Sequence, residues 1–206
     1  MLWLTDDLRR GFKIRDTIYK VDLAYDNVLR FYELLDDDHF SAIEKAQTAF
    51  EMFFGFAPGP DDDEYVAGAF EGIAKYLSED PYEDTGIGTT DLAGNDFAPT
   101  KYYSFSQDAG AIYASFREQY GINLIEEQGK LQWDEFKALF AGLGPKTYFQ
   151  RIVAIRQADP NDYEGKEQVE LLEAQNRYAL ADNRSEEAVQ AQLAGFADAL
   201  KGWALS

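Results

Sequence analysis

His39 closes the run Asp36-Asp37-Asp38, and an imidazole beside carboxylates is raw material for a divalent-metal site or for acid–base work. It is the only histidine in the chain, and consecutive acids project in different directions, so the ligand spacing of a metal centre is missing. A solvated helix junction accounts for the run better. The acids Asp61 to Glu64 lack the alternation and the glycine of a calcium loop, and suit the amino-terminal end of a helix. TGIGTTD (85–91) has the glycines of a phosphate cradle, but no strand leads into it, no GK[ST] follows and acids surround it. Glu126-Glu127 supplies two carboxyls, which glycoside hydrolysis needs facing each other across a cleft rather than side by side. No GxSxG elbow occurs, and the absence of cysteine removes thiol nucleophiles, disulfides, iron–sulfur clusters and Cys-ligated zinc together. These residues predict no catalytic site, no cofactor and no metal, so the chain is not expected to be an enzyme.

The elements that would position any site are mostly helices. A chain of 206 residues is one domain, with or without an appendage. Such a length buries roughly 70% of the unfolded chain's surface, so no disulfide or metal staple is required. FKIR and TIYKV flank a tight turn at Arg15-Asp16 and predict a β-hairpin, with Phe12, Ile14 and Ile18 alternating with polar neighbours. Two strands are marginal alone, so the hairpin must lie on helices. From Asp22, a candidate cap, the spacing of Ala24, Val28, Phe31 and Leu35 predicts a helix. Asp36 to Asp38 oppose that helix's dipole and read as the break and the cap of a second helix, Phe40 to about Phe54, with Ile43, Ala46, Phe50 and Phe53 inward. GFAPGP (55–60) breaks the chain, and Val66, Ala69, Phe70, Ile73, Ala74 and Leu77 mark a third helix. Residues 79–104 lose periodicity and predict a long acidic loop.

Helical spacing returns at Asp108, with Ile112, Tyr113, Phe116 and Tyr120 on one face and Gly121 as the stop. Trp133, Phe136, Phe140 and Leu143 follow at steps of three, four and three, before Gly144-Pro145 turns the chain. Phe149, Ile152, Val153 and Arg156 share the face of the next helix, which Asp159-Pro160 ends. Pairing with local acids, or reaching out to solvent, accounts for Arg151 and Arg156; receiving a partner's carboxylate is the alternative. A helix over 165–178 precedes a polar spacer and a last helix capped at Ser185. Large rings are most often core, so Trp133, Phe136, Phe140, Leu143 and Phe149 are expected mainly to hold the body together, with a groove as the alternative. Val189, Leu193, Phe196, Leu200 and Trp203 form a narrower seam of the coiled-coil type, a candidate partner-binding surface.

The net charge of -19 is unevenly placed. Residues 1–20 hold three acids and five bases, residues 21–100 nineteen and three, and residues 101–206 sixteen and eleven. A middle section so acidic repels phosphate backbones and anionic lipid, which argues against nucleic-acid and membrane partners. Charge of one sign also keeps a sticky protein in solution. No apolar run reaches membrane-spanning length, and MLWLTDDLRR is too short and too soon charged for a signal peptide, so a soluble, unprocessed protein is expected.

Two stretches, YYSFSQDAGAIYASFREQYGINL and LQWDEFKALFAGLGPKTYFQRIVAIR, resemble the bacteriophage family known as gene product fifteen. The hairpin leading into DLAYDNVLRFYELL is similar to that family's opening. The likeness covers about residues 10–182, with 79–104 as a variable loop; the seam at 185–203 looks like an extension. The resemblance implies a context like that of the tail-assembly chaperones of long-tailed (siphovirus-type) phages. They associate with the tape-measure protein and are absent from the finished particle. The expected fold is therefore mainly α, a multi-helix domain over 1–182 with an amino-terminal hairpin and a helical extension over 183–206. The expected role is that of a tail-assembly chaperone in the host cytoplasm, binding helical segments of the tape-measure protein or other tail proteins, with self-association a further expectation. A structural tail or neck subunit retained in the virion is the alternative.

Overall fold

The computed structural model describes residues 11–14, 17–57, 59, 63–78 and 102–181. These are mainly α-helical, with one short hairpin, and fall into two compact units. One comprises the described residues up to 78 together with 128–136; the other comprises 102–127 and 137–181.

In the first unit β1 (Gly11–Ile14) pairs antiparallel with β2 (Thr17–Lys20). The register sets Ile14 against Thr17 and Lys13 against Ile18, so Ile18 is out of step with Phe12 and Ile14. Side chains alternate along a strand, so the parity of the turn decides the face. Ile18 is accordingly 74% exposed, and half-buried Tyr19 is the residue that meets Phe56, at 5.6 Å between rings.

Helix α1 (Tyr25–Asp36) buries Val28, Phe31 and Leu35 as its spacing predicts. It starts later than Asp22: that carboxylate accepts the Ala24 N–H, and Ala24 occupies the cap position. At the other end Lys45 Nζ donates to Leu35 O at 2.6 Å, placing a cation where the helix dipole favours one. Helix α2 (Ala42–Phe54) is capped by Ser41 and not by the aspartates. Ser41 and Glu44 form a reciprocal capping box, and this pairing fixes the helix start two residues beyond Phe40. Ala46, Phe50 and Phe53 are buried, whereas Ile43, expected inward, is exposed in the first turn. Gly55 ends α2 at φ +76°, a conformation that a side chain would strain. Helix α3 (Asp63–Ser78) buries Val66, Ala69, Phe70, Ile73 and Leu77.

The core of this unit is aromatic. Phe31 meets Phe53 edge-on at 5.1 Å and stacks towards Phe70 at 6.3 Å. Residues 129–133 run beside the start of α1. Tyr25 N donates to Leu131 O, Trp133 N donates to Leu23 O, and Ala24 bridges Gln132. Buried Asn27 satisfies two carbonyls, Asp22 O and Met52 O, and so ties α1 to the end of α2.

The second unit contains α4 (Ala109–Tyr120), the later part of α5 (Trp133–Ala141), α6 (Tyr148–Gln157) and α7 (Gly165–Arg177), with a short 3-10 turn at Pro160–Asp162. Ser115, fully buried on α4, donates to Ala111 O and accepts Phe149 N at 2.9 Å, which pins the start of α6. Gly121 closes α4 at φ +71°. Tyr120 donates its hydroxyl to Leu139 O, and burial raises its pKa above the usual tyrosine value. Helix α5 ends at Ala141, so Leu143 lies in the turn beyond it and the four-residue stripe is not wholly helical. Residues 182–206, including the expected extension, and residues 79–101 of the expected loop lie outside the described residues.

Candidate partner-binding surfaces

Val189, Leu193, Phe196, Leu200 and Trp203 lie outside the described residues, as do Asp61, Asp62 and TGIGTTD. The rings of the α5 region divide between the units. Trp133 and Phe136 are buried in the first, where Trp133 stacks on Phe136 at 5.6 Å and Phe136 on Tyr25 at 4.8 Å. Leu143 and Phe149 are buried in the second. Phe140 is half-buried there, within 5.3 Å of the rings of Tyr103, Phe105 and Phe149.

The strongest polar feature of the second unit is one for which no specific partner was legible in the sequence. Arg156, on α6, reaches Asp108 at the head of α4 through two parallel hydrogen bonds of 2.7 and 2.8 Å. Their side chains are 7% and 5% exposed. The guanidinium also donates to Tyr102 O and Tyr178 O, and Asp108 additionally accepts Ser104 N. Every bond of the guanidinium is to a group brought in from a distant part of the chain, so sequence spacing carried no signal beyond an arginine on an apolar helix face. Gln107 adds two bonds to the backbone of Ala179 and Ala181. Arg156 and Gln107 thereby set where the chain leaves α7. Arg151 instead lies over the Tyr148 ring at 5.9 Å.

His39 has a side chain that is 95% exposed, with Nδ1 at 2.8 Å from Asp37. The His39 backbone N–H, and next its ring, hold the Asp37 carboxyl below the usual aspartate value. The cluster is thus a local turn. Glu126 accepts from Asn123 at 2.7 Å, and the backbone N–H groups of Glu126 and Glu127 both donate to Asn123 O. Among the described residues no three His, Cys, Asp or Glu side chains converge as metal ligands, and no helix is long and apolar enough to cross a membrane.

The surface does expose large apolar side chains. Ile18, Phe40, Ile43 and Phe56 are open on the first unit, and Ile125, Tyr163, Val169 and Leu172 on the second. These features define a mainly α protein that presents apolar residues on an acidic surface. Residues 4–180 match the family model described as Bacteriophage Gp15 protein, and the chain belongs to that family of phage proteins. Comparison with curated proteins and with solved structures yields no match.

Proposed function

We propose that this phage protein is a non-catalytic tail-assembly chaperone, acting in the host cytoplasm to hold helical segments of the tape-measure protein until the tail is built. Membership of the Gp15 family over residues 4–180 is the observation that carries this reading. The physics is consistent with it. A long helix-rich chain with apolar stripes self-associates when bare. A binder for such a chain needs apolar edges and enough charge to stay dissolved. Here a net charge of -19 accompanies exposed Phe40, Ile43, Val169 and Leu172. The spacing of Val189, Leu193, Phe196, Leu200 and Trp203 predicts a further helical edge of the coiled-coil type. It lies beyond the matched residues, so it is an addition to whatever the shared part of the family does.

Co-expression with the neighbouring tail genes, followed by affinity capture, tests the reading. The tape-measure protein should be retained, and purified particles should lack this chain. Its presence in the particle would instead make it a structural tail or neck component.

A further inference from the structure

Helix α7 is held to its unit in part by amides. Gln168 donates to Pro160 O, and Gln175, two turns on, donates to Ile155 O and Ala158 O. No residue of this helix is buried. Val169 and Leu172, one turn apart and on the same edge, are 54% and 49% exposed. Val169 and Leu172 are thus turned outward, while half-buried Leu171 and Ala174 share the inward side with the two glutamines. Asp159, Asp162, Glu164, Glu167, Glu170 and Glu173 make this stretch of chain acidic and are all exposed. Lys166 and exposed Arg177 are the two bases within 159–177, and Lys166 is at 3.2 Å from Glu170.

We propose that the Val169–Leu172 edge of α7 docks an amphipathic helix of another polypeptide whose apolar stripe is bordered by lysine or arginine. The inference rests on the reading of this protein as a binder of helical segments, and it specifies their charge and seat. Apolar contact supplies the attraction, and basic borders meet the exposed carboxylates of this acidic stretch. A second copy of this chain would bring the same acids against themselves, which disfavours self-pairing on this face.

The test uses the full-length protein and a synthetic helix of roughly 20 residues, long enough to fold, with a leucine stripe bordered by lysines, beside a twin bordered by glutamates. Fluorescence anisotropy should show the lysine helix binding, weakening with salt, and the glutamate twin not binding. The double change Val169→Asp with Leu172→Asp should reduce affinity about tenfold or more, with the circular-dichroism melt unchanged because both sites are exposed. Leu193→Asp with Phe196→Asp should leave this binding intact. Equal binding of the two helices, or undiminished binding by the α7 double variant, overturns the inference. So does a wild-type dimer that the α7 variant dissociates. Lysine-helix binding at α7 without capture of any tail protein on co-expression would uphold the inference while removing the proposed function.

Discussion

Arg156 and Asp108 face each other as a two-pronged ion pair at 2.7 and 2.8 Å, closed off from solvent. Around it, the carbonyls of Tyr102 and Tyr178 take further guanidinium protons, so a single side chain fastens three separate stretches of the second unit. Arg156→Met leaves a buried carboxylate without its cation and should cost about 3–5 kcal/mol in urea unfolding. The double variant Arg156→Met with Asp108→Leu should recover much of that loss, because no buried charge is then stranded. Equal losses in the single and double variants would mean that the arginine acts by packing alone.

The capping box makes α2 sensitive to acid. Ser41 donates to Glu44 through its hydroxyl and its backbone N–H, and these bonds hold the Glu44 carboxyl below the usual glutamate value. A depressed carboxyl contributes stability that is present above the unfolded-state value and lost as pH falls through the folded one. NMR titration should therefore find Glu44 low in the wild type and closer to ordinary in Ser41→Ala. The cap change itself should destabilise by about 1 kcal/mol near neutral pH.

Trp133→Ala removes a ring that is buried against Phe136 and Tyr32 and should cost about 3–5 kcal/mol. Phe140→Ala, at a half-buried site, should cost less. Denaturant unfolding monitored by circular dichroism ranks the two. A neutral Trp133 variant would place that ring outside the core.

Leu193→Asp with Phe196→Asp should abolish capture of the tape-measure protein while thermal unfolding of the body is unchanged. Collapse of the body in this variant would make the seam part of its core rather than a surface for another chain.

Ser104 and Tyr102 illustrate a broader division. Where a signal is periodic and local, it was legible from residue order alone: the stripe of Val66, Phe70, Ile73 and Leu77, the glycine stops at Gly55 and Gly121, the turn at Asp159-Pro160, and the family likeness carried by the aromatic run around α4 to α6. Apolar spacing and left-handed stops depend on the backbone's own period and sterics, so tertiary packing had little to alter. Everything that hangs on pairing between distant groups was decided by the fold. The register of the hairpin put Ile18 out of step with Phe12 and Ile14, Ser41 displaced the aspartates as the α2 cap, and the stripe from Trp133 to Phe140 was divided between two cores. The partner chosen by Arg156 lies 48 residues away, and Val169 and Leu172 turn outward on a helix whose inward side is taken by Leu171, Ala174 and amides that engage carbonyls of the preceding helix and turn. Such outcomes depend on which buried polar groups can be satisfied together, a condition on the whole three-dimensional arrangement that no window of sequence contains.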